Sequence, residues 1–188
     1  MGDDAVRAGD IIHRFRNFFR HGATQLRFTD LAPLFDSAIA AQKQRADSLG
    51  LRLQRAWPGT LPKVLIDSIQ MEVVLRNLVA NAMDAISPSG PDGSVTLRAA
   101  RQHDTLLVEV VDSGPGVTAA QALKIFDGVD SEKPGGMGIG LSICRSIVEA
   151  HGGRLWAETG TCGHFCFTLP LDMRADDHPE TTGPRRAR

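Results

Sequence analysis

The chain has 188 residues, of which 42% are hydrophobic and 23% charged, and its formal net charge is −1. These values indicate one globular domain with appendages, and the small net charge offers no electrostatic case for nucleic-acid binding. No apolar run approaches the ~20 residues that span a bilayer, and no signal peptide opens the sequence. We therefore expect a cytoplasmic segment without membrane contact, whose three cysteines are free thiols.

Residues 1–21 predict a basic amphipathic helix, with Ile11, Phe15 and Phe18 on its apolar stripe. A segment this short cannot form a core of its own. We interpret residues 1–22 as part of a larger helical assembly; a membrane anchor and docking on the following domain are the alternatives.

The middle of the chain predicts alternating strands and helices. Asp30 is a candidate cap for a helix that ends at Leu49, before Gly50. A second helix runs to Ile86. Short strands are expected at residues 25–29, 51–56 and 64–66.

The second half of the chain predicts a β-hairpin, two helices and two final strands. The hairpin strands are residues 94–101 and 105–112. Thr118 and Gln121 form a capping box for a short helix, and residues 142–151 form another helix. The final strands are residues 154–158 and 164–170. Because neighbouring strands can form hairpins, the pattern predicts an α/β (α+β) sandwich, with a mixed, mostly antiparallel sheet covered by helices on one face. Residues 172–188 are charged, lack an apolar pattern and are expected to be a disordered tail.

The final strand carries three potential metal ligands, Cys162, His164 and Cys166, at alternating positions. Three ligands on one short strand, without a fourth, form a poor tetrahedral site. We therefore predict no metal there.

The helix before Ile86 has a polar face beside its apolar one, because Asn77, Asn81 and Asp84 recur at spacings of four and three. Asn is a mediocre helix former, so this face either is simply solvated or serves a ligand. Amide and carboxylate oxygens suit Mg²⁺ that is completed by substrate phosphates.

Two glycine-rich loops follow. Asp112, with Gly114 and Gly116, ends a strand in a turn that lets backbone approach a flat ligand, and an ionised carboxylate suits the exocyclic amine of adenine. A purely structural turn is the alternative. The second loop, Gly136-Met137-Gly138-Ile139-Gly140 before Leu141, leads into a helix whose free N–H groups would face phosphates. It fits neither the Rossmann nor the Walker pattern.

Taken in order, these pieces resemble the ATP-binding domain of sensor histidine kinases, within the GHKL superfamily that includes gyrase, mismatch-repair and heat-shock chaperone ATPases. NLVANAMDAI resembles the N box, DSGPG the first glycine box, Phe126 the F box and GGMGIGLSI the second glycine box. The resemblance covers residues 30–171 and implies a Bergerat-type ATP-binding fold. RAGDIIHRFRNFFRHG resembles the end of a second dimerisation helix, which favours a kinase over gyrase-like ATPases.

The resemblance also implies roles for particular residues. Asn81 would hold Mg²⁺ through its side-chain oxygen, with Asn77 and Asp84 supporting it or reaching phosphate-bound water, and Asp112 would accept from the adenine amine. The implied nucleotide-contacting set is completed by Gly114, Gly116, Phe126, Lys133, Gly136, Met137, Gly138, Ile139, Gly140, Leu141 and, near the base, Thr168. The stretch after Phe126 departs from the family pattern F-x-P-F-x-T-T-K, with Gly128, Val129 and Glu132 at three of its positions.

The implied function is that of a protein-histidine kinase. With ATP and Mg²⁺ it would phosphorylate a histidine on the dimerisation helix of a homodimeric kinase, for relay to a response-regulator receiver domain. A protein-serine kinase of the anti-sigma type and a non-enzymatic nucleotide-binding module are the alternatives. His13 is followed by Arg14 where the phosphoacceptor motif has an acid, so we expect no self-phosphorylation.

Overall fold

The computed structural model describes residues 24–57, 59–86, 92–126 and 140–172. The predicted helix of residues 1–22 and the predicted tail beyond Asp172 lie outside this part of the chain. No helix within it is long and apolar enough to cross a membrane.

The described chain forms four helices and seven strands. The helices are α1 (Ala32–Leu49), α2 (Ser68–Ile86), α3 (Ala119–Lys124) and α4 (Gly140–Ala150). The strands are β1 (Arg27–Thr29), β2 (Arg52–Ala56), β3 (Val64–Ile66), β4 (Ser94–Gln102), β5 (Thr105–Asp112), β6 (Arg154–Ala157) and β7 (Gly163–Pro170).

Five strands form the main sheet in the order β2-β4-β5-β7-β6, in which only the β2–β4 pair is parallel. Strands β1 and β3 form a separate antiparallel pair. Helix α2 packs against both α1 and α4, and all three helices pack against the main sheet. The predicted sandwich, with a mixed and mostly antiparallel sheet, is confirmed.

The core lies between the sheet and the helices, because both contribute alternating apolar residues to it. On β5 the residues at even positions are buried, and on β7 Phe165, Phe167 and Leu169 join the same core. Helix α2 adds its predicted stripe, including Leu75, Leu78 and Val79, each with no exposed surface.

Local signals placed several element ends correctly. Gly50 adopts a left-handed conformation (φ 68°) after α1, and Thr118 and Gln121 form the predicted capping box. The cap of α1 differs from expectation, since Leu31 holds the cap position and Asp30 accepts only from the Ala32 N–H, at 2.9 Å.

His151 connects the end of α4 to the start of α2. Its Nε2 accepts from the Asp67 N–H at 3.0 Å, and its Nδ1 lies 2.8 Å from the Ile147 carbonyl oxygen. Because Nε2 accepts a hydrogen bond and Nδ1 faces a carbonyl oxygen, we place the ring proton on Nδ1. Asp67 Oδ1 caps α2 by accepting from the N–H groups of Ile69 and Gln70. This buried histidine thereby fixes where α2 begins relative to α4.

Candidate functional site

Strand β5 ends in a carboxylate that the fold buries. Asp112 follows Val108 and Val110 on the core-facing side of the strand and is only 2% exposed. Its Oδ1 accepts from the Gly114 N–H at 2.8 Å. Its Oδ2 is buried and has no hydrogen-bond partner among the described residues. Burial raises the pKa of Asp112; the hydrogen bond from the Gly114 N–H and the nearby N–H of Gly163, which is too poorly aligned to satisfy Oδ2, partly oppose that rise.

An unsatisfied buried acceptor costs about 1–3 kcal/mol, so native proteins rarely keep one without a reason. Oδ2 of Asp112 is therefore suited to a hydrogen-bond donor that the described chain does not supply. The exocyclic amine of adenine is such a donor, whereas the carbonyl of guanine is not.

Two glycines allow backbone to approach this carboxylate closely, and a third allows a tight turn beside them. A Cβ on Gly114 would lie 2.7 Å from Asp112 Oδ1, and a Cβ on Gly163 would lie 1.9 Å from Oδ2. Gly116 has a φ of 79°, and a Cβ there would lie 2.1 Å from the Gly160 carbonyl oxygen. Sequence reasoning missed Gly163, because only the pairing of β7 with β5 places it opposite Asp112.

The polar face of α2 lies near the start of α4. A Cβ on Gly140 would be 3.1 Å from Asn77 Oδ1, so the two residues are neighbours. The Asn77 amide donates to the Val73 carbonyl at 2.8 Å, which leaves Oδ1 directed towards Gly140. Asn81, one turn further on, is half-buried, and its side chain makes no hydrogen bond to another described residue.

Helix α2 also brings this polar face near the Asp112 turn, since a Cβ on Gly114 would lie 3.3 Å from Ala85. Gly140 thus lies beside Asn77 at the middle of α2, and the Asp112 turn lies beside Ala85 near the end of the same helix.

Asp84 has a different environment from the one expected. Its carboxylate forms an ion pair with Arg45 of α1, so it is engaged across the helix pair α1–α2. The periodicity of α2 placed Asp84 on the polar side of the helix, but it could not show that α1 supplies a guanidinium there. Asp84 therefore contributes to the helix–helix contact, and its support of a metal stays a prediction.

Phe126 is buried between the sheet and α4. Its ring meets Phe165 of β7 edge to face, with centroids 6.4 Å apart, and the Arg145 guanidinium lies 5.7 Å from its ring centre. Arg145 is held in turn by Glu149 at 2.9 Å. Phe126 therefore anchors the chain just before residues 127–139, which lie outside the described part.

Thr168 does not belong to this site. It pairs with Leu107 on β5, five residues along β7 from the Gly163–Asp112 pair. At ~3.3 Å per strand residue, it is displaced by about 16 Å. Its hydroxyl accepts from the Arg154 N–H at 3.2 Å. The register of β7 against β5, which the sequence did not show, places Thr168 away from Asp112.

Leu141 is half-buried and packs on the core. Five further predicted residues, Lys133, Gly136, Met137, Gly138 and Ile139, lie outside the described residues.

Together the fold and the site define a nucleotide-binding α/β sandwich, with a buried acceptor at one strand end and amide oxygens on the adjacent helix. Residues 66–173 match the family described as Histidine kinase-, DNA gyrase B-, and HSP90-like ATPase. The chain belongs to this family. Its relatives are sensor histidine kinases, so the domain is a catalytic domain of the histidine kinase type.

Two relatives illustrate the similarity. The chain is 36% identical over 180 residues to the C4-dicarboxylate transport sensor protein DctS of Rhodobacter capsulatus, covering 95% of this chain and 27% of that protein. It is 38% identical over 170 residues to the sensor protein FixL of Bradyrhizobium diazoefficiens, covering 89% of this chain and 34% of FixL. The chain thus spans about a third or less of these relatives.

Solved structures agree with the fold. The nucleotide-free catalytic domain of histidine kinase ThkA matches with a TM-score of 0.70 and 27% identity, covering 77% of this chain and 95% of that domain. Full-length ShkA in complex with AMPPNP matches with a TM-score of 0.69 and 27% identity, covering 77% of this chain and 31% of ShkA.

Proposed function

We propose that this chain binds Mg·ATP and transfers the γ-phosphoryl group to a histidine on a dimerisation helix, from which an aspartate of a response-regulator receiver domain accepts it. The observation that carries the proposal is the buried, unpartnered Oδ2 of Asp112. Family membership supports it, as does the AMPPNP complex of the similar ShkA.

Asp112 and the residues near it bind different parts of Mg·ATP. Asp112 accepts from the adenine amine, and Gly114 and Gly163, which lack side chains, let the backbone lie against its carboxylate. The half-buried amide oxygen of Asn81 is the hard ligand that suits Mg²⁺, and Asn77 lines the start of α4 beside it. Mg²⁺ supplies charge neutralisation for phosphoryl transfer when it is bound.

The phosphoacceptor and the regulator are the proposed partners. A similar structure, at 21% identity, is that of ThkA in complex with the response regulator protein TrrA. Residues 1–22 are proposed as the end of a dimerisation helix in a homodimeric kinase, residues 23–171 as the catalytic domain and residues 172–188 as a tail.

Transfer of labelled phosphate from ATP to a separately supplied dimerisation domain tests the proposal. We expect acid-labile label on the supplied histidine, and none on this chain alone. Asn81→Ala should abolish transfer, whereas Asp104→Asn, in the exposed β4–β5 turn, should retain most of it. Acid-stable label on an added partner's serine would instead identify a serine kinase, and ATP binding without transfer to a competent histidine helix would identify a non-enzymatic module.

A further inference from the structure

A group of polar side chains lies on the face of the main sheet opposite the core. The register aligns Trp156, Cys166 and Glu109 in one row across β6, β7 and β5. Cys166 is 2% exposed, yet it does not belong to the apolar cluster between the sheet and the helices. His164 lies two residues before Cys166 on β7 and therefore shares its face.

Three metal-binding groups converge on this face of the sheet. A carboxylate oxygen of Glu109, a ring nitrogen of His164 and the Cys166 sulfur all lie within 4.8 Å of one another. Glu109 Oε1 is 2.7 Å from His164 Nε2. The side chains of His164 and Glu109 are 27% and 20% exposed, so the group can be reached from solvent on their side.

We propose that Glu109, His164 and Cys166 form a zinc site, in which water completes a tetrahedral coordination. Sequence spacing alone argued against a metal here, because it gave three ligands on one strand and no other. In the structure Cys162 is exposed and is not part of the group, and Glu109 of the adjacent strand is the third potential ligand instead. The ligands therefore come from two strands.

The distances fit a zinc ion with little rearrangement. With zinc bonds of about 2.0–2.3 Å, tetrahedral ligand atoms lie ~3.5 Å apart. The Glu109–His164 distance of 2.7 Å and the 4.8 Å limit within which all three ligand atoms lie bracket that spacing. A mixed thiolate, imidazole and carboxylate set favours zinc over Mg²⁺ or Ca²⁺, which prefer oxygen ligands alone.

The Cys166 thiol lies in a buried position near two carboxylates. Burial, with the charges of Glu109 and Glu158, raises the pKa of the Cys166 thiol to about 12. Without metal the thiol is therefore protonated near neutral pH. Zinc binding releases that proton to solvent, and when His164 starts as the neutral Nε2–H tautomer its proton moves to Nδ1. The resulting thiolate and carboxylate balance the two positive charges of the ion.

Cobalt(II), a spectroscopic substitute for zinc, tests the site in the untagged protein. In a Cys162→Ser background we expect one equivalent of Co²⁺ to give a thiolate-to-metal charge-transfer band in the near ultraviolet, which Zn²⁺ then displaces. Absence of the band, or a band that Zn²⁺ does not displace, would overturn the proposal.

Variants of the ligands separate this site from adventitious binding. Cys166→Ala should abolish the band; since that change alters a buried position, His164→Gln and Glu109→Gln supply a second test at partly exposed positions. Each should weaken Co²⁺ binding at least 10-fold, whereas His103→Asn, in the β4–β5 turn, should leave it unchanged. Equal Co²⁺ affinity in all of these variants would show that the metal binds elsewhere.

Discussion

Gly163 faces Asp112 across the β5–β7 pair, and a Cβ on Gly163 would lie 1.9 Å from Oδ2 of Asp112. The buried acceptor therefore exists only because its cross-strand neighbour has no side chain. The missing side chain of Gly163 and the carboxylate of Asp112 thus lie at the same point, and each can be tested by its own substitution.

Replacing Gly163 should damage the pocket from the side of β7. In Gly163→Ala the methyl group and the carboxylate cannot both keep their places, so we expect a loss of about 1–3 kcal/mol in the free energy of unfolding. ATP affinity should fall at least ~10-fold, measured by calorimetry. Gly160→Ala is the matched control, because a Cβ there has nothing within 4 Å. Equal effects of the two changes would contradict this account.

Asp112→Asn should separate binding from stability. The amide lacks the charge of the carboxylate and can donate towards the adenine amine, so ATP affinity should fall at least ~10-fold by titration calorimetry. The variant should melt no lower than the wild type, because it buries no charge. Asp104→Asn in the exposed β4–β5 turn is the control and should change neither quantity. Unchanged affinity in Asp112→Asn would remove Asp112 from the base site.

The raised pKa of Asp112 predicts a pH dependence of stability with a definite sign. A carboxyl whose pKa is higher in the folded state binds protons more readily there than in the unfolded chain. Its stabilising contribution is fully present below its ordinary pKa of 3.8 and is lost as the pH rises through the raised value.

Denaturant titrations between about pH 4 and pH 7 measure this effect as the difference between the wild type and Asp112→Asn. The free energy of unfolding of the wild type, relative to the variant, should decline as the pH rises. A constant difference, or one that increases with pH, would show that the folded state does not raise this pKa.

His151→Phe should destabilise the domain through the joint between α2 and α4. It leaves the Asp67 N–H and the Ile147 carbonyl without their side-chain partner, so we expect a loss of about 1–3 kcal/mol in the free energy of unfolding. The control is His103→Asn, at a position of positive φ (55°) that Asn tolerates. If chemical denaturation gave the same stability for both variants, the bridging role of His151 would be wrong.

The sequence by itself determined the elements, the class of fold and the motifs that identify the family. These follow from local physics: the apolar stripe of α2, the Thr118–Gln121 capping box and the left-handed Gly50 each depend on residues only a few positions apart. For the same reason Asp112 could be recognised as a carboxylate at a strand end before its burial was known.

The tertiary structure decided which residues meet. The register of β7 against β5 places Gly163 opposite Asp112 and excludes Thr168, and it brings Glu109 to His164 from 55 positions away. The packing of α1 on α2 brings Arg45 within ion-pair distance of Asp84. Such contacts depend on how whole strands and helices align to bury their apolar faces, and a shift of one residue would turn every side chain of a strand to the other face. No pattern of neighbouring residues contains that information.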